Sequence, residues 1–330
     1  MSNAKQILAM VRSRAKNDDE RLFSIALQVA ASEARRGHKT TAEDIRAAVD
    51  EARDQTGGGA TVAVSFSKPR GDLSSILAMQ EPRIALMDVV LSEKLSTKLN
   101  LFVREQHKRS WLREHGKTPH RRVLLVGPPG SGKTMTAEGL AHSLRLPLFV
   151  IRLDSLITRF MGETASKLRL VFDEVNTRRG VYFFDEFDAV GSRRDSTNDV
   201  AEMRRVLNSF LQFMEETNTT DSVVLAATNH PELLDKALLR RFDMALAFTA
   251  PSEEQIRKLI TASIRPMRHP RLAWKELIAS AQGLSQAEIV QASEDAVKTA
   301  ILDERDQLAT VDILQRMEER AEMRDALYKD

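Results

Sequence analysis

Twelve residues constrain this chain more than any others: VLLVGPPGSGKT, residues 123–134. Val123, Leu124, Leu125 and Val126 run directly into Gly127, Pro128, Pro129, Gly130, Ser131, Gly132, Lys133 and Thr134. A short apolar run of this kind suits a strand buried on both faces. The glycines suit a loop that turns its backbone N–H groups inward. The spacing matches G-x-x-x-x-G-K-[ST], in which loop and following helix N-terminus wrap phosphate oxygens. Lys133 would hold the β and γ phosphates of a nucleotide, and the Thr134 hydroxyl would bind Mg²⁺. The plain alternative is a Gly-rich turn. The apolar run before it and the helix-like segment after it argue against that.

Further short apolar runs follow the same rhythm: LFVIRL at 148–153, VYFFD at 181–185, SVVLAAT at 222–228 and MALAF at 244–248. Separated by helix-like segments, they predict a parallel sheet with both faces covered. The chain after Pro251 reads as helix to its end, opening at a capping Ser252. Before residue 55 it is also helix-like, with apolar residues recurring at three and four through Leu22, Ile25, Ala26 and Val29. QTGGGATVAVSFSKPRGD carries three successive glycines and a Lys-Pro, which suits a flexible linker. The expected organisation is a helical module at 1–54, a linker at 55–74, an α/β domain at 75–250 and a helical domain at 251–330. The fold class is α/β, a phosphate-loop nucleotide-binding sheet with helical additions at both ends.

The run VYFFDEFD places two carboxylates at a strand end. Asp185 can hold Mg²⁺, and Glu186 can act as the base that orients an attacking water. A strand end meeting solvent would look similar, but its position downstream of the phosphate loop favours the catalytic reading. Asn229, in AATNHP, would stand beside that strand end within reach of water or the γ phosphate, although Asn before a turn is also ordinary loop chemistry.

Composition narrows the field. There is no cysteine, which suits a reducing compartment and excludes disulfides and thiolate metal sites. No window approaches the roughly 18 apolar residues of a membrane span, and the N-terminus has no signal-peptide core. A cytoplasmic protein without membrane partners is expected. Net charge is +2, so no global field argues for nucleic acid.

GPPGSGKT, FFDEFD, ATNHP and LLRRFD, in that order and spacing, resemble the AAA clade of AAA+ ATPases, in its bacterial-type, stand-alone, single-ring form. The resemblance covers about 75–330. It implies a homo-oligomeric ring, usually a hexamer, with ATP and Mg²⁺ at subunit interfaces and a four-helix lid after the α/β domain. Met135 belongs with the nucleotide contacts on this basis. Asn229 resembles the polar sensor residue. Arg240 and Arg241 resemble the arginines that reach a neighbour's ATP; their adjacency is like the katanin and spastin branch and leaves open which one does so. GLSQAEI at 283–289 resembles the lid stretch near adenine and ribose, with Gly283 and Ala287 as contacts and Gln286 and Glu288 in place of Gly and Asp. MDVVL at 87–91 resembles the adenine-covering loop, with Val89 and Val90 as contacts.

The resemblance also explains ITRFMGET. Phe160, Met161 and Gly162 fit the aromatic–hydrophobic–Gly pattern of a pore loop, where an aromatic and a thioether grip polypeptide without sequence preference. Packing of Phe160 and Met161 into the core is the alternative. Arg193 and Arg194 resemble a second pore loop, and a solvated charge run fits equally well. The N-terminal helices are loosely similar to microtubule-interacting and trafficking bundles, and a module that supports the ring fits as well. The implied activity is ATP hydrolysis that remodels, unfolds or disassembles a protein substrate, chosen directly or through an adaptor. Two rivals stand beside it. One is a regulatory ATPase that feeds a separate protease. The other is a nucleic-acid motor, which the charge balance and the absence of a nucleic-acid module argue against.

Overall fold

The computed structural model describes residues 73–151, 163–187, 208–216, 220–234, 239–265, 267–269 and 271–327, with residues 25–26, 29–30, 38, 41–45 and 48–49 nearer the N-terminus. The chain divides into two compact units, Met1–Val62 and Ala63–Asp330. In the first, residues 25–26, 29–30, 41–45 and 48–49 are helical, and Ala26, Ala30, Ala42 and Val49 are buried. The glycine-rich stretch, residues 55–72, lies outside the described residues.

The second unit is α/β. Its six-stranded sheet comprises β1 (Leu77–Gln80), β2 (Arg122–Val126), β3 (Leu148–Ile151), β4 (Val181–Phe184), β5 (Val223–Thr228) and β6 (Met244–Ala247), in the order β1-β3-β4-β5-β2-β6. All neighbours are parallel except β1, which runs antiparallel to β3 at the edge. The five runs expected to be strands all form strands. β1 was not expected, because LAMQ is short and continues the helix-like LSSI of α1 (Leu73–Ile76). Its pairing partner supplies what local propensity lacks.

Parallel strands need covered faces, and two apolar layers cover these. One gathers Leu99 and Phe102 of α2 (Glu93–His107), then Ala137, Leu140 and Ala141 of α4 (Lys133–Leu144), against Val123, Leu125, Phe183 and Leu225. Between these two helices lies the short α3 (Arg109–Glu114). The other layer packs Leu168, Val171 and Phe172 of α5 (Glu163–Thr177) against Leu124, Tyr182, Phe184 and Val224. Its aromatic centre stacks Phe184 edge-on against Phe187 and Phe210, centroids 6.5 and 5.1 Å apart. Removing one such buried ring costs about 3–5 kcal/mol.

Four further helices follow: α6 (Glu253–Ser263), α7 (Trp274–Ser280), α8 (Gln286–Leu302) and α9 (Thr310–Leu327). Their own core includes Ile256, Ile260, Leu277, Ile289, Ala296 and Ile313. Ser252 caps α6 as expected, in a box closed by Gln255. Ser285 caps α8 in the same way, and Glu288 closes that box by accepting from the Ser285 N–H at 2.7 Å. Glu288 is therefore the residue this helix start needs.

Candidate functional site

The parallel register brings three strand ends to one edge of the sheet. Val126 is level with Thr228, and Phe184 with Ala226. Gly127, Asp185 and Asn229 consequently leave the sheet side by side, at the carboxyl edge where open α/β sheets bind ligands. Gly127 sits tightly there: a Cβ would lie 2.5 Å from the Phe248 carbonyl oxygen.

Lys133 begins α4 and is 7% exposed. Its ammonium donates to the Gly127 and Pro128 carbonyls and to Asn229 Oδ1, each at 2.8 Å. The Thr134 hydroxyl donates to Asp185 Oδ2 at 2.9 Å. Glu186 follows with φ +50°, a left-handed conformation that costs a non-glycine residue roughly 1–2 kcal/mol. The cause lies on either side of it. Phe184 and Phe187 are both buried in one aromatic cluster, so the two carboxylates between them are looped out and Glu186 is exposed.

α8 closes the other side. The Ala287 N–H donates to the Gly130 carbonyl at 3.0 Å. Gly130 has φ +70°, and a Cβ there would meet Ser285 Oγ at 2.7 Å. Between the two halves lies a cleft of about 660 Å³. Pro129 through Met135, Asp185, Glu186 and Asn229 line its polar end. Val89, Val90, Leu259, Ala262, Ala287 and Val290 supply its apolar lining, beside Asp88, Gln291 and Glu294. One end thus suits phosphate and the other a flat base.

Most of the site residues expected from the sequence meet here. Gly127 and Pro128 take part through their carbonyls rather than as lining. Gly283 lies outside the cleft, in an adjoining recess of about 420 Å³, with its carbonyl bonded to Arg324. Arg240 is exposed, and Arg241 pairs with Glu215 of the same chain at 2.6 Å. Phe160, Met161, Gly162, Arg193 and Arg194 lie outside the described residues. Sequence reasoning missed Leu259, Ala262 and Val290, which carry no signal beyond the apolar stripe of an amphipathic helix.

The family model for "ATPase family associated with various cellular activities (AAA)" matches residues 123–250. Over 313 residues the chain is 30% identical to the uncharacterized AAA family ATPase y4kL of Sinorhizobium fredii, covering 93% of this chain and 92% of that protein. The chain belongs to the AAA family of ATPases. Other relatives of this AAA ATPase are longer. A proteasome-activating nucleotidase of Methanothermobacter thermautotrophicus is 33% identical over 60% of this chain and half of its own length. An ATP-dependent zinc metalloprotease FtsH of Lancefieldella parvula is 32% identical over 72% of this chain and 38% of its own.

Mg²⁺ fits the donors of this AAA ATPase. Thr134 and Asp185 supply adjacent hard oxygens, which Mg²⁺ prefers, and it ordinarily completes its shell with phosphate oxygens and water. Among the described residues no group of three or more His, Asp or Glu could hold a metal by itself. Nor is any helix among them long and apolar enough to cross a membrane.

Proposed function

We propose that this AAA ATPase hydrolyses ATP in a homo-oligomeric ring, a hexamer, and uses the energy to remodel, unfold or disassemble protein substrates threaded through its pore. The convergence of Lys133, Thr134, Asp185, Glu186 and Asn229 at the polar end of one cleft carries the hydrolytic half of this reading. The domain at 75–250 binds ATP, and the helices of 251–330 close over it. Lys133 turns from its carbonyl partners to the β and γ phosphates. Mg²⁺, when bound by Thr134, Asp185 and the nucleotide, supplies neutralising charge on those phosphates. Asn229 and Glu186 orient a water toward the γ phosphorus. Glu186 takes its proton as the bond to the bridging oxygen breaks, releasing ADP and phosphate. One of the arginines at 240 and 241, supplied by the neighbouring subunit, stabilises the transferring group and makes hydrolysis depend on assembly.

The threading half rests on Phe160, Met161 and Gly162, whose pattern suits a non-specific grip. A cysteine-free chain fits a reducing cytoplasm. Glu186→Gln, captured from cells with ATP, tests both halves. A specific protein retained by it and lost with Phe160→Ala supports threading. Nucleic acid in its place would overturn the protein-substrate reading.

A second reading is a regulatory ATPase that feeds a separate protease. The similarity to a proteasome-activating nucleotidase favours it. In the same capture, a protease partner that stays bound without Phe160 is its expected result.

A further inference from the structure

Of the two adjacent arginines, only one is fastened among the described residues. Arg241 Nε lies 2.6 Å from Glu215 Oε1, at the end of the helical residues 208–215. This contact is an ion pair within the chain. The next residue, Phe242, is buried in the aromatic layer. The one after, Asp243, accepts from Arg122 Nη2 at 2.6 Å, from Arg122 Nε at 3.1 Å, and from the Arg121 and Arg122 backbone N–H groups at 2.8 and 3.0 Å. Arg122 also donates through Nη1 to the Met214 carbonyl at 3.1 Å, beside Glu215. Two parallel ties therefore join residues 214–215 to residues 241–243. Arg240 is exposed and makes no ion pair or hydrogen bond among the described residues.

We infer that Glu215 is a positioning residue: it holds Arg241 within its own subunit and so presents Arg240 to the nucleotide of a neighbouring copy. The inference rests on the proposed reading that an arginine acts between subunits. To reach the same neighbour, Arg241 would first have to break its ion pair with Glu215. With Glu215 more than half exposed, its pair with Arg241 adds little to stability. Its effect is on direction, which matters for a fork-shaped guanidinium that must meet a phosphate in register.

Steady-state ATPase kinetics on the full chain, alone and mixed with Lys133→Ala subunits, test this. Lys133→Ala subunits lack nucleotide binding but offer intact arginines to the next site. Arg240→Lys is expected to lower kcat by about 100-fold or more with little change in KM, because an ammonium cannot replace the fork. Arg241→Lys keeps its ion pair and is expected to lose less than about tenfold in kcat. Glu215→Gln should lose about tenfold in kcat at similar KM. Mixing should restore both Arg240→Lys and Glu215→Gln, since each defect is delivered to the next subunit's site. The inference is overturned if Arg241→Lys is as damaging as Arg240→Lys, or if Glu215→Gln alone resists rescue. Failure of mixing to rescue any variant would sink the intersubunit arginine itself, and the inference with it.

Discussion

Thr134 and Asp185 are joined directly: the hydroxyl at the start of α4 donates to a carboxylate oxygen at the end of β4, 51 residues later, at 2.9 Å. Neither residue can move far without the other. Asp185→Asn keeps an oxygen at this position and removes its charge. The Mg²⁺ concentration for half-maximal ATPase activity should rise by about tenfold or more, roughly 1.4 kcal/mol. A Mg²⁺ titration of the ATPase rate checks this. An unchanged midpoint would remove Asp185 from the metal site.

Glu186 occupies a left-handed conformation that its buried phenylalanine neighbours impose. Asn tolerates that conformation better than Glu. Glu186→Asn should raise the unfolding free energy by a few tenths to about 1 kcal/mol while lowering kcat by about 100-fold or more. Thermal melts and phosphate release read the two effects separately. A variant that is both slower and less stable would show that the strain is not relieved.

Gly130 is where the start of α8 touches the glycine-rich loop after β2. In Gly130→Ala a methyl group meets Ser285 Oγ at 2.7 Å and Ala287 Cβ at 3.2 Å, with φ held at +70°. The change should cost about 1–3 kcal/mol of stability. It should also weaken ATP binding, because the Ala287–Gly130 hydrogen bond cannot form at its present length. Calorimetric titration with ATP is the direct measurement.

Asp243 supplies a pH dependence. Burial alone would raise its pKa, but the Arg122 guanidinium and the Arg121 and Arg122 N–H groups outweigh that and hold it below the usual carboxylate range. The folded pKa is thus depressed relative to the unfolded one. The stability this gives is fully present above the ordinary Asp value of 3.8 and is lost as pH falls through the lower folded value. Asp243→Asn should remove about 1 kcal/mol at pH 7, discounted for solvent screening, and should flatten the acid limb of the stability curve. Urea melts from pH 7 to pH 3 follow both.

That Lys133, Thr134, Asp185, Glu186 and Asn229 would come together in one cleft was legible in the sequence because their signals are local. A strand, a glycine-rich turn and a lysine within twelve residues fix one another through backbone geometry alone. A strand followed by two carboxylates and a strand followed by Asn are equally local, and parallel pairing carries all three ends to one edge. The capping of α6 was local for the same reason. What the sequence left open depends on contacts between distant segments. β1 is a strand only because β3 lies beside it. The apolar end of the cleft exists only because α6 and α8 fold back over Val89 and Val90, and nothing in Leu259, Ala262 or Val290 marks them apart from other apolar residues of an amphipathic helix. Gly283 follows a family pattern but sits outside the cleft, since the turn before α8 points its carbonyl at Arg324. Arg240 and Arg241 are the same residue twice in sequence. Only the tertiary structure separates them, because an ion pair to Glu215 forms where the fold brings the end of one helix beside the turn before β6.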